Sequence, residues 1–347
     1  MPPIDSSVSG KIVVLHQGAL GDFLFTLPVL EALHRSYPLV RIDLWSKAEH
    51  VAVLAEKTYI GKTHPPDDLE LVPFFHEELW REARIPRFFE DALAILIFGQ
   101  AGSRVLGGRL AERLSCPVHW IQSFPEPGRH RHVHDFLLEQ CQQLGWPLKA
   151  SLPDLRPTVH EVSLIKEKLG LRRQTSFGQP ILIHPGSGGL RKIWPLNKWW
   201  EILRFLRGQY HYPIYLTLGP ADEQLRGFAK EAGKLEVLTL EGLTVSNLAA
   251  LLSECRLYMG SDSGVSHLAA LVGIPAVVIF GPTDPDIWAP RGSKVHIVKE
   301  CWEESEVLTW SPSSESTSLS SHIIELIRRL LPSPLTPWQR RGDAERG

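Results

Sequence analysis

Three short stretches of this chain carry residue types that can do chemistry. Near the start, His16-Gln17-Gly18-Ala19-Leu20-Gly21-Asp22 sets a carboxylate where a glycine turn meets a helical pattern. An aspartate there can be an N-cap, worth ~1 kcal/mol, and nearby amides and the helix macrodipole favour its ionised form. The same carboxylate at a ligand-facing edge can take a proton from a hydroxyl nucleophile. The residues alone leave cap and base both open. In the middle, His184-Pro185-Gly186-Ser187-Gly188-Gly189 is followed closely by Lys192. Three glycines let the backbone curl so that successive amides form an anion-binding nest, and Lys192 adds a full positive charge. A plain glycine-rich turn with a surface lysine is the competing reading. In the third stretch, Gly260-Ser261-Asp262-Ser263-Gly264 opens a helical pattern over 265–272. An acid, two hydroxyls and free amides then meet at a helix N-terminus, which binds anions through its unpaired N–H groups and its dipole. His267, on the first turn, is divided between phosphate contact and helix packing. Neither glycine loop is a GxxxxGK[ST] P-loop, which disfavours nucleoside triphosphate hydrolysis.

The elements that must hold these turns alternate between strand and helix. Short apolar runs at 11–15, 41–45, 69–74, 92–98 and 117–122 predict strands. Helical spacing is found at 23–36, where Pro28 is a possible kink, and at 106–114 and 133–144. The proline-rich stretch from Gly145 to Pro157 lacks periodicity and predicts a domain boundary. A second series follows: strands at 181–184, 214–218, 237–240, 257–259 and 276–280, with helices at 162–169, 196–207, 222–233, 245–253 and 265–272. Two β/α series joined by one linker imply an α/β protein with two doubly wound domains, 1–157 and 158–331, facing a central cleft. A last amphipathic helix over 319–331 is assigned to the second domain, with packing back onto the first as a possibility, and 332–347 is expected to be a disordered tail.

Composition bounds the function classes. The 347 residues are 43% hydrophobic and 22% charged, with a formal net charge of −2, so no whole-chain attraction to nucleic acid is expected. Arg129-His130-Arg131-His132-Val133-His134-Asp135 is a local basic run, either a solvated face or a contact for an anionic acceptor or lipid headgroups. Four scattered cysteines lack metal-ligand spacing and fit a reducing compartment. No signal-peptide pattern and no spanning apolar run is read, so the expected location is the cytoplasm.

Taken together, GALGDFLFTLPVLEAL, HPGSGGLRKIWPLNKW and SDSGVSHLAALVGIPAVVIFGPTDP, in that order, resemble glycosyltransferase family nine, the bacterial heptosyltransferases of lipopolysaccharide core assembly. The resemblance implies a GT-B fold of two Rossmann-like domains and inverting transfer from a nucleotide-sugar, such as ADP-heptose, with no required metal or cofactor. It implies that Asp22 is the general base and that Lys192 meets the diphosphate, with Ser187 and Gly188 in the loop beside it. Asp262 falls where the family holds the donor sugar, and Ser263 and Gly264 where amides meet phosphates. His267 and Thr283 join the donor-binding set, and Glu223, after Gly219-Pro220, falls at an acidic position expected at the donor ribose. The implied acceptor is a lipid-linked or lipopolysaccharide-core glycan, met at the cytoplasmic face of the inner membrane. The sequence departs from relatives at Ile97-Phe98-Gly99-Gln100, where an aspartate is often found, and after Cys301, so the acceptor side is open. A nucleotide-sugar epimerase and a non-catalytic sugar-nucleotide-binding or assembly protein are the competing readings. The first would need its own acid/base set near the sugar, and the second would have no need of Asp22.

Overall fold

A computed structural model of the chain describes residues 7–67, 69–170, 178–313 and 319–331. It divides into two compact units, Met1–Leu155 with Asp286–Trp288, and Arg156–Pro285 with Ala289–Gly347.

The first unit is a five-stranded parallel sheet ordered β3-β2-β1-β4-β5. Its strands are β1 (Gly10–His16), β2 (Val40–Trp45), β3 (Ile60–His64), β4 (Ala92–Gly99) and β5 (Val118–Gln122). The central strands read as continuous apolar runs because helices or loops cover both faces, burying Ile12, Val13 and Val14 alike. Residues 69–74 are a 3-10 turn, Leu69–Leu71, and a short helix, Val72–Phe75, rather than the expected strand. Pro73 explains the difference, since it sits in the first turn of that helix and would leave a gap in a strand ladder. The edge strand β3, half-exposed Ile60-Gly61-Lys62-Thr63-His64, lacks the apolar signature and escaped the sequence reading. Helix α1 (Leu20–Ser36) runs unbroken through Pro28 and packs Phe23, Leu24, Leu27 and Leu30 into the core.

The second unit is a six-stranded parallel sheet ordered β11-β10-β9-β6-β7-β8. Its strands are β6 (Ile181–His184), β7 (Ile214–Leu218), β8 (Leu238–Glu241), β9 (Leu257–Ser261), β10 (Ala276–Phe280) and β11 (Val295–Lys299). Counted from its own first strand this is the order 3-2-1-4-5-6 of dinucleotide-binding sheets. The edge strand β11 was not expected; Val295-His296-Ile297-Val298-Lys299 mixes polar and apolar residues. The segment expected as one helix over 222–233 is a 3-10 turn, Glu223–Leu225, leading into a helix, Arg226–Ala232. The last helix, Ser321–Leu330, belongs to this unit: Ile323, Leu326, Ile327 and Leu331 are buried with Leu196, Trp199 and Leu203 in one core. The tail 332–347 and positions 314–318 of the serine-rich stretch lie outside the described residues.

Candidate functional site

In a doubly wound sheet, ligands gather beyond the carboxyl ends of the strands at the point where strand order reverses. That point lies between β1 and β4 in the first unit and between β6 and β9 in the second. The turn carrying Asp22 follows β1, and the two glycine loops follow β6 and β9. All three stretches singled out by residue chemistry therefore leave their sheets at switch points.

In the first unit Asp22 is not the N-cap. Helix α1 begins at Leu20 with Ala19 as its cap, which puts Asp22 at the third helical position. Its Oδ2 accepts from the Ala19 N–H at 3.1 Å, the returning half of a capping box, without the hydroxyl that usually supplies the other half. The bond needs a residue without a side chain at position 18. A Cβ on Gly18 would stand 2.7 Å from Asp22 Oδ2 and 3.0 Å from His16 Cε1. His16, at the end of β1, is buried and packs edge-on against Phe23. Burial, with smaller contributions from His50 and Lys47, pushes its pKa down to about 3, so the ring beside the turn stays neutral. Gln17 Nε2 ties the same turn to the Pro66 carbonyl at 3.2 Å.

In the second unit the loops after β6 and β9 interlock. Lys192 Nζ lies 3.0 Å from Asp262 Oδ2, and Thr283 Oγ1 donates to the same oxygen at 2.7 Å. Ser187 Oγ donates to the Asp262 carbonyl at 2.6 Å. Beneath them Ser261 Oγ donates to the Pro185 carbonyl at 2.9 Å and accepts from the Trp194 N–H at 3.2 Å. Ser266 Oγ donates to the Ser261 carbonyl, which leaves the Tyr258 hydroxyl to donate to Ser266 at 2.9 Å. Tyr258 is fully buried, and burial raises its pKa. Lys299 Nζ donates to the carbonyls of Gly281 and Thr283, fixing the turn that presents Thr283.

The helix Gly264–Val272 starts at Ser263, whose side chain makes no bond to its own first turn. The amides of Gly264 and Val265 precede the first intrahelical donor and face outward from the N-terminus. Gly188 is exposed in the glycine loop, and His267 is buried one turn into the helix. Chemically, a lysine, two hydroxyl groups and open amides around a buried carboxylate suit a phosphate next to a hydroxyl-bearing group.

Glu223 stands apart from this network, with 80% of its side chain exposed and an ion pair to Arg226 at 3.3 Å. The basic run at 129–135 is largely neutralised within its own helix neighbourhood, since Arg131 pairs with Asp135 and Glu139, and Arg129 with Glu139. The bracing groups Ser266, Tyr258 and Lys299 were missed by the sequence reading, which counted Ser261 only as a hydroxyl at the helix N-terminus. Nothing in their local pattern separates them from ordinary sheet residues; only the adjacency of β6, β9 and β10 gives them partners. Among the described residues no cluster of three or more His, Cys, Asp or Glu could hold a metal ion.

The chain is 24% identical over 322 residues to lipopolysaccharide heptosyltransferase 3 of Escherichia coli K12, covering 84% of this chain and 85% of the relative. It is also 24% identical over 347 residues to lipopolysaccharide heptosyltransferase 1 of Pseudomonas aeruginosa, covering 89% and 90%. Its fold matches a glycosyltransferase family 9 structure from Veillonella parvula with a TM-score of 0.68 at 19% identity, over 84% of this chain and 86% of the other. It matches E. coli ADP-heptose lipopolysaccharide heptosyltransferase II with a TM-score of 0.67 at 18% identity, over 92% and 98%. The fold is therefore GT-B, built from two Rossmann-like units. Residues 96–314, more than half of the sequence, match the description "Glycosyltransferase family 9 (heptosyltransferase)", and on that match, with its switch-point loops in place, the chain belongs to this family of glycosyltransferase enzymes.

Proposed function

We propose that this enzyme transfers a heptose, with inversion, from an ADP-activated donor to a lipopolysaccharide core glycan. The observation that carries the reading is the convergence of Lys192, Thr283 and Ser187 on Asp262 at the switch point of the second sheet. In this reading Lys192 and the amides of Ser263 and Gly264 hold the diphosphate, with Gly188 and His267 lining its place, and Asp262 and Thr283 hold the sugar hydroxyls. Glu223 reaches the donor ribose. The leaving ADP gains negative charge as the bond from the anomeric carbon to phosphate oxygen breaks. Lys192 and the fixed amide dipoles stabilise that charge, so the reaction needs no metal. The acceptor oxygen forms the new bond to the opposite face of that carbon, and its proton goes to the Asp22 carboxylate.

The named relatives act on lipopolysaccharide, which makes a core glycan at the cytoplasmic face of the inner membrane the expected acceptor. Among the described residues no helix is long and apolar enough to cross a membrane. The deciding experiment is to incubate the enzyme with ADP-heptose and heptose-deficient lipopolysaccharide core, with and without a chelator, and to weigh the product. A heptose adduct formed equally in both arms is expected. Nucleotide binding without any adduct across a panel of sugar donors and acceptors would favour a binding module instead, and donor isomerisation an epimerase.

A further inference from the structure

The glycine loop after β6 is braced from both of its neighbouring strands. On the β9 side Ser261 and Asp262 hold Pro185 and Ser187. On the β7 side the brace is a residue assigned no role above, Asp222. It is buried, and its Oδ2 accepts from the Gly219 N–H at 2.7 Å, closing the turn that follows β7. Its carboxylate then lies flat against the glycine loop. A Cβ on Gly186 would stand 2.1 Å from Asp222 Oδ1 and 2.3 Å from Cγ and Oδ2. His184, which starts the loop, has its Nδ1 3.0 Å from the Thr217 carbonyl and its Nε2 3.9 Å from Asp222 Oδ2. Two successive turns at the carboxyl edge of the sheet thus share one buried carboxylate.

We propose that Asp222 is a positioning residue for the donor site. By filling the space under Gly186, it holds the loop in the curled shape that presents its amides to the diphosphate. The inference rests on the donor site proposed above. It separates two adjacent acids: Glu223 is exposed and turned to Arg226, whereas Asp222 acts from inside, through the backbone of residue 186. Pre-organised amides bind an anion without ordering a loop first, so loss of the brace should appear in affinity more than in the rate from the bound state.

The test uses the full-length enzyme, ADP binding by calorimetry, and transfer kinetics with ADP-heptose. Asp222→Ala is expected to weaken ADP binding and raise the donor KM about tenfold, with kcat changed less than about threefold. Asp222→Asn keeps the shape and an acceptor for Gly219, and should recover most of that loss. Gly186→Ala, which drives a methyl into the carboxylate, should weaken ADP binding by about tenfold in the native background. In the Asp222→Ala background the same change should cost less than about threefold, because the methyl then has room. Lys192→Ala runs alongside. If it weakens ADP binding while Asp222→Ala does not, or if the 186 and 222 changes combine additively, the positioning role is overturned and the donor site stands. Should neither Lys192→Ala nor the 222 variants alter ADP affinity, the donor-site reading falls with it. A drop in melting temperature with ADP affinity intact would reduce Asp222 to a structural brace. If Asp222→Ala does not fold, the Asn variant and Gly186→Ala still decide: native ADP affinity in Gly186→Ala overturns the proposal.

Discussion

The two units share one topology at their centres yet hold their switch-point turns in different ways. In the second unit, Lys192 and Ser187 after β6 and Thr283 after β10 all meet Asp262 after β9, and Lys299 of β11 holds the turn that carries Thr283. In the first unit the Asp22 turn is held by a bond to its own neighbour, Ala19, and by Gln17 reaching Pro66. In the function proposed above, the difference fits the chemistry asked of each turn. Stabilising a leaving diphosphate takes dipoles fixed before the reaction, because reorienting them costs part of what they contribute. Accepting a proton takes one carboxylate at a set position, and a single helix end can supply that.

The largest expected effect tests the first half of the comparison. Asp22→Asn keeps an oxygen for the Ala19 N–H, so the helix start and the melting temperature should barely move. It removes the basic oxygen, and loss of general base catalysis typically costs 10²–10⁴ in rate, roughly 3–5 kcal/mol of barrier. Turnover, ADP affinity and thermal melting on one preparation decide it. A folded variant that transfers at near-native rate would return Asp22 to a purely structural role.

The next effect concerns stability rather than chemistry. Ile327, on the last helix, is fully buried in the core of the second unit. Truncation of such a residue to alanine removes buried methyl and methylene groups and leaves a cavity, a loss of about 2–5 kcal/mol. Ile327→Ala should therefore lower the midpoint of denaturant unfolding, and added ADP, which binds the native second unit in the reading above, should recover part of the shift. A melting midpoint equal to that of the parent protein would remove the helix from that core.

Lys192→Ala comes third. Charge-assisted hydrogen bonds contribute about 1.5–3 kcal/mol, which corresponds to a loss of roughly 10- to 150-fold in donor affinity. Transfer should slow along with binding, since in the proposed donor site the lysine meets the diphosphate before and during the reaction. Unchanged ADP affinity would take Lys192 out of the site and with it the contrast between the two units.

Most central elements were legible because parallel strands buried on both faces leave continuous apolar runs, as in Ile12-Val13-Val14 and Val277-Val278-Ile279. The edges were not, because β3 and β11 each face solvent on one side and carry mixed residues. The turns holding Asp22, Lys192 and Asp262 were visible through their glycines and their place between strand and helix. What the sequence could not give was the geometry among them. It put the start of α1 three residues late, and so offered the N-cap as one reading of a third-position aspartate. It also passed over Asp222, since only the fold reveals which of two neighbouring acids turns inward.

The smallest expected effect is the most discriminating about how the second unit's turns are tied. Thr283 Oγ1 and Lys192 Nζ meet the same oxygen of Asp262, one as a neutral donor and one as a charged one. Thr283→Val keeps the branched shape and removes the hydroxyl alone. Thr283 is half open to solvent, so its bond to the buried Asp262 carboxylate contributes about 1 kcal/mol, below the usual range for a charged partner. The donor KM should then rise by roughly fivefold, with little change in melting temperature, because Lys299 still holds the turn by its carbonyls. Thr283→Ser should restore most of the loss. An effect as large as that of Lys192→Ala would mean that the hydroxyl, rather than the lysine, sets the orientation of Asp262. No effect at all would mean that the lysine orients the carboxylate unaided, and that the turn after β10 closes the sheet without serving the donor.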